Sequence, residues 1–189
     1  MMLYFTLWAV VALFPASEIV LAVVKRANPS LADVQDRGSM RLLWAAISLG
    51  VALAIVTRGV PEARLPGSPG LLGVIALVLM VLGLGIRWTA IITLGRLFTV
   101  DVAIQREYTV VETGLYHYVR HPSYAGLLIA FVGLGVSFGN WLGMLLLLLP
   151  ITLAVGNRIL KEERALTASL GAAYASYCAR TKRLVPGVF

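Results

Sequence analysis

Five long apolar stretches alternate with short polar ones along the chain, and that alternation sets the first expectation about its architecture. Residues 3–24, 42–56, 71–93, 124–138 and a last run from Trp141 or Leu142 towards Leu170 are rich in Leu, Val, Ile, Ala and Gly. A helix needs about 20 apolar residues to cross a bilayer. The pattern therefore predicts an all-α, polytopic integral membrane protein with about five transmembrane helices. The first stretch lacks a basic lead and carries Glu18, so it reads as a retained span rather than a cleaved signal peptide. An ionisable residue inside a span marks a functional site or a partner for a neighbouring helix. In the third stretch, Gly83-Leu84-Gly85 follows no strand, so it reads as small-residue helix packing rather than a nucleotide fingerprint. The fourth opens just after Pro122, a favourable residue near a helix start. The fifth follows a tight Gly139-Asn140 connection, contains Pro150 and is expected to stop at Gly171. At roughly 42 Å its last third projects into water.

No span fits between residues 94 and 123, where Asp101, Arg106, Glu107, Glu112, Arg120 and His121 lie too close together. Within it, residues 109–111 are expected to be extended and Glu112-Thr113-Gly114 to form a turn. The chain thus reads as one membrane domain over 1–189, with three spans in 1–93 and a functional core in 94–189.

Composition agrees. Of 189 residues, 59% are hydrophobic and 13% charged, against about 25% charged in soluble domains. The net charge of +7 changes the picture only through its placement. All of the 16 Lys and Arg except Arg58 and Arg64 fall in the first connection, the region before the fourth span, or the C-terminal region. By the positive-inside rule these are cytoplasmic and the N-terminus is outside. The basic residues therefore serve topology rather than nucleic acid. Cys178 is the only cysteine, and His117 and His121 have no third ligand in view, so neither a disulfide nor a metal site is expected.

Candidate chemistry gathers on the cytoplasmic side. Residues 114–126 hold both histidines, Arg120 and three of the seven tyrosines. At the end of the fifth span, Arg158 and Glu162 are four apart and share a helix face, while Glu163 is turned about 100° away. A fixed cation, a carboxylate, aromatic faces and backbone donors together suit a ligand that is at once zwitterionic and aromatic. Tyr174 and Tyr177, at helical spacing, read as packing. The basic tail from Arg180 to Arg183 suits anionic lipid head groups.

Gly114-x-Tyr116, Arg120-His121-Pro122-Ser123-Tyr124, Glu162-Glu163, Gly171, Tyr174 and Tyr177 together resemble the isoprenylcysteine carboxyl methyltransferase family. The wider set includes membrane phospholipid N-methyltransferases. The resemblance implies an S-adenosylmethionine-dependent methyltransferase with a cytosolic cofactor pocket formed by the C-terminal half. On that resemblance Tyr108, Thr109, Val110, Val111, Tyr116, His121, Pro122, Ser123, Tyr124 and Glu162 line the cofactor. Arg158 orients the methyl acceptor. Asp101, where eukaryotic relatives carry glutamine, and Arg120 and Glu163 stand near the site. The implied acceptor is a lipophilic or prenylated molecule taken from the bilayer, most simply a carboxylate, with a lipidic phenol or pyrone or a phospholipid amine as alternatives. A non-catalytic scaffold or a transporter is the alternative from a different class, but a transporter more often places polar sites near the midplane.

Overall fold

The computed structural model describes residues 2–24, 32–36, 38–100, 102–105 and 109–187. Helix α1 (Met2–Val24) is followed by strand β1 (Ala32–Asp36), helices α2 (Gly38–Thr57) and α3 (Pro69–Leu94), strand β2 (Val102–Gln105), and helices α4 (Pro122–Ser137), α5 (Trp141–Leu170) and α6 (Ala172–Arg180). The chain is predominantly helical, as its apolar pattern requires. The departure from an all-α fold is the antiparallel pairing of β1 with β2. Residues 109–111 lie in no strand. By length and composition α2, α5 and the helical stretch Pro69–Leu97 can cross a membrane, while Ala9–Leu21 and α4 are shorter apolar helices. Leu13, Ile19, Leu49, Val81, Leu145 and Leu153 all face outward, the apolar exterior expected where lipid is the solvent.

Local chemistry fixes the helix ends. Helix α2 starts four residues earlier than its apolar run, because Asp36 Oδ1 accepts from Gly38 N at 2.7 Å and Asp36 Oδ2 from Ser39 N at 3.2 Å. These bonds satisfy donors that a helix start leaves orphaned. Ser68 caps α3 by accepting from Leu71 N, with Pro69 in the first turn. Gly171, at φ 53°, ends α5, as expected. Asn140 makes the expected tight turn into α5: its Oδ1 accepts from Gly143 N at 2.9 Å, and its Nδ2 donates to Thr57 O at 2.9 Å and Val60 O at 3.2 Å. One side chain thus caps α5 and pins the end of α2.

Small residues let α3 and α4 touch. A methyl added at Gly83 would lie 2.5 Å from Ala130 N and 2.6 Å from Gly126 O, so only glycine fits there. Gly85 meets nothing within 4 Å, so of the Gly83-Leu84-Gly85 pair Gly83 alone carries the packing. Arg87, one of the basic residues expected on the cytoplasmic side, also has a partner within the fold. It is buried on α3, donating from Nε to Glu18 Oε1 at 2.5 Å and from Nη2 to Glu18 Oε2 at 2.6 Å. Glu18 is thus a partner for a neighbouring helix, and breaking such a buried pair costs about 3–5 kcal/mol. Arg87 Nη1 also donates to Ser123 O at 3.2 Å, joining α1 and α3 to the first turn of α4.

Candidate functional site

Tyr124 is the hub of the site. It stands on the first turn of α4, and its hydroxyl donates to Glu162 Oε2 at 2.9 Å and accepts from Arg158 Nε at 3.2 Å. The shared face of Arg158 and Glu162 on α5 is therefore spanned by one phenol from the facing helix. Arg158 is only 2% exposed. Its Nη1 donates to Ser39 Oγ at 3.0 Å and its Nη2 to Val100 O at 2.7 Å. One turn further along, Lys161 Nζ donates to Asp36 Oδ2 at 2.8 Å. Two side chains of α5 thus hold the start of α2 and the approach to β2. Burial alone would raise the Asp36 carboxyl, but Lys161 and the Ser39 and Gly38 donors outweigh it and hold the group well below the usual carboxylate range.

Glu163, the second acid of the pair, faces a different neighbourhood. Its Oε1 accepts from Arg120 Nε at 3.0 Å and lies 3.5 Å from His121 Nε2, while its Oε2 accepts from Arg183 Nη2 at 2.8 Å. Arg120 Nη1 also donates to the carbonyls of Cys178 and Thr181. Backbone bonds from Arg120 N to Lys182 O (2.8 Å) and from His121 N to Arg183 O (3.0 Å) lay the C-terminal segment along the His-Pro turn. Tyr177 donates to Tyr116 O at 2.6 Å, closing the same layer. In the basic tail, Arg183 meets Glu163 and Arg180 meets Glu112 at 3.0 Å, so these two cations have acidic partners within the fold.

Two cavities meet at Ser123 and Tyr124. The larger, about 760 Å³, runs beside α1, α2 and α4 and has Arg158, Arg87 and Glu18 in its wall. It follows α4 from Ser123 to Phe138, about 22 Å of helix. Trp44, Ile47, Leu127, Phe131 and Leu134 make most of that length apolar. The smaller, about 70 Å³, lies against Val110, Val111, Tyr116, His121, Glu162 and Tyr174. Among the described residues, the Tyr174 hydroxyl is buried with no hydrogen-bond partner, while His121 Nε2 has only the 3.5 Å contact with Glu163 Oε1; both residues line this smaller cavity. An unpaired buried polar group costs about 1–3 kcal/mol, so a ligand able to pair with the Tyr174 hydroxyl fits there.

The structure brings most of the expected site residues together. Val110, Val111, Tyr116, His121, Ser123, Tyr124, Glu162 and Arg120 all border the smaller cavity. Arg158 borders the larger one. Thr109 is exposed, and Pro122 is buried as the first residue of α4; neither borders the smaller cavity. Glu163 does not border it either, because its oxygens are turned towards Arg120 and Arg183. Tyr108 and Asp101 lie outside the described residues. His117 is exposed against Tyr118, and among the described residues no cluster of three metal-ligating side chains occurs. Sequence reasoning missed the wall formed by Leu94, Leu97, Phe98 and Thr99 and the Ser39 contact to Arg158. The Asp36-x-Gly38-Ser39 run is a helix-start signal that could have drawn attention to Ser39. Tyr174 and Tyr177 do pack together, with ring centroids 6.1 Å apart, yet both also border the smaller cavity.

Known proteins resemble this chain in sequence and in fold. Residues 75–168 match the model of the isoprenylcysteine carboxyl methyltransferase family. The chain is 38% identical over 114 residues to protein-S-isoprenylcysteine O-methyltransferase B of Arabidopsis thaliana, covering 59% of this chain and 58% of that one. It is 34% identical over 113 residues to protein-S-isoprenylcysteine O-methyltransferase of Schizosaccharomyces pombe, covering 59% and 48%. This chain thus spans between about half and three fifths of those relatives' lengths. A solved structure of the eukaryotic intramembrane Ras methyltransferase of this family superposes with a TM-score of 0.62 at 27% identity, covering 78% of this chain and 53% of that one. The chain thus resembles the isoprenylcysteine carboxyl methyltransferase family in the sequence of residues 75–168 and in its fold.

Proposed function

We propose that the protein is an S-adenosylmethionine-dependent O-methyltransferase that esterifies the carboxylate of a prenylated cysteine drawn from the bilayer. The observation that carries this reading is the wall shared at Phe98, Thr99, Ser123 and Tyr124, which borders both a long apolar cavity and a small one lined by polar as well as apolar residues. The large cavity holds the acceptor's apolar tail, and the small one holds the cofactor. When bound, the cofactor supplies an electrophilic methyl group.

The acceptor carboxylate is already ionised at neutral pH, so the reaction needs no general base. Glu163, held by Arg120 and Arg183, is occupied as a clasp for the C-terminal segment. The residues' task is alignment, which accounts for a large share of such a barrier. Arg158 uses three of a guanidinium's five N–H donors on Tyr124, Ser39 and Val100, and its remaining N–H groups face the acceptor carboxylate. Glu162 accepts hydrogen bonds from the cofactor, while His121 and Tyr116 complete its surroundings. Because about 70 Å³ holds only about two waters, cofactor binding requires this cavity to widen. Water is kept from the reacting atoms by the apolar length of the larger cavity.

Five spans, an external N-terminus and a cytoplasmic site complete the proposal. It is supported by three helices long and apolar enough to cross a membrane with two shorter apolar ones, and by the connections in which all Lys and Arg except Arg58 and Arg64 fall, which a five-span count puts on one side.

The test is transfer of labelled methyl from S-adenosylmethionine to an S-farnesylcysteine analogue, with product identification. A base-labile methyl ester is the expected product. Label in phospholipid amines would replace the acceptor assignment, and a folded sample that binds no S-adenosylmethionine would overturn the methyltransferase reading.

A further inference from the structure

We infer that the Tyr174 hydroxyl donates a hydrogen bond to the nucleoside part of the cofactor, an assignment that rests on the methyltransferase reading above. Tyr174 lies on α6, in the C-terminal segment, and is 3% exposed. Its neighbour Tyr177 uses its hydroxyl on Tyr116 O at 2.6 Å. The Tyr174 hydroxyl has no partner among the described residues and lines the cavity that Glu162, His121 and Tyr124 also line. Leaving a buried hydroxyl unpaired is unfavourable, so its place in the wall of a candidate binding cavity gives it something to pair with.

The surroundings select which part of the cofactor meets it. Tyr174 packs with Ala165, Leu166 and Tyr177, and partly buried Val110 and Leu170 lie against that group. This end of the cavity suits a flat, neutral, largely apolar group better than a charged amino-acid tail. Burial pushes the phenol's pKa upward, and the Cys178 thiol and the Glu163 and Glu162 carboxylates push the same way against Arg120. The group therefore remains protonated and acts as a donor. The apolar packing around Tyr174 likewise disfavours the cofactor's charged carboxylate at this end. A nucleoside, with ring nitrogens and ribose oxygens as acceptors, meets both conditions.

The experiment compares Tyr174→Phe with the wild-type protein, measuring Kd for S-adenosylmethionine and for methylthioadenosine, which keeps the nucleoside but lacks the amino-acid tail, together with Tm. The expected result is a rise of roughly three- to tenfold in both Kd values, by the same factor, with Tm unchanged or higher because an unpaired hydroxyl has been removed. A merely structural role would instead lower Tm and leave both affinities in place. Unchanged affinities overturn the assignment. So does a loss confined to S-adenosylmethionine, or a wild-type protein that binds the whole cofactor but not methylthioadenosine, since each places recognition at the amino-acid end. A wild-type protein that binds neither ligand overturns the methyltransferase reading itself and this assignment with it.

Discussion

The two cavities that meet at Tyr124 differ in length and in how they are closed. The larger is walled by helices that pack through apolar side chains, with one ion pair, Glu18–Arg87, set into its side. The smaller is closed by polar bonds over short reach: Tyr124 to Glu162, Tyr177 to Tyr116, and the Arg120 and Arg183 clasp on Glu163. On the proposed function, the contrast lets one chain serve two kinds of ligand. A lipid tail needs volume and no hydrogen bonds. A polar cofactor needs a matched set of donors and acceptors and gains little from volume.

Mutations can break that division one side at a time. Arg158→Ala should lower kcat/KM for the acceptor by roughly a hundred- to a thousandfold, the scale of losing one preorganised donor set. Arg158→Lys serves as the folded control, because Arg158 also holds Ser39 and Val100. Glu162→Ala should raise the cofactor Kd by roughly ten- to a hundredfold, as expected for a charged hydrogen-bonding partner, and calorimetry reads this directly. Leu134→Trp narrows the larger cavity and should raise KM for a geranylgeranyl acceptor by roughly tenfold while leaving cofactor affinity unchanged. The smallest effect concerns pH. Asp36 has a depressed folded-state pKa, so the stability it contributes is complete above the unfolded value near 4. That contribution is lost as pH falls from there through the folded value. Asp36→Asn should remove this part of the acid sensitivity, measured as a flatter dependence of Tm on pH below about 4.

Much of the frame was legible in the sequence because its signals are local. Pro122 opens α4, Gly171 closes α5 and Gly83 sits at the α3–α4 crossing, each as its own residue type dictates. The paired glutamates were legible too, since adjacent positions on a helix point about 100° apart, and Glu162 and Glu163 do part company. What stayed hidden depends on pairings distant along the chain. Glu18 meets Arg87 across 69 positions, and Arg158 meets Ser39 across 119. No periodicity records such pairings. The β1–β2 ribbon was hidden for the same reason, being a pairing of two short segments on either side of α2 and α3. The partner of Arg87 was hidden likewise, because a cation near a span end reads as a topology signal until its carboxylate is seen.

The most direct test of the two-cavity account is photo-crosslinking with an S-farnesylcysteine analogue carrying a diazirine on its tail, followed by mass-spectrometric mapping. The account predicts adducts along the larger cavity, at residues such as Trp44, Ile47 and Leu134, with yields unaffected by saturating S-adenosylmethionine. Adducts at Val110, Leu166 or Leu170, competed away by the cofactor, would contradict it.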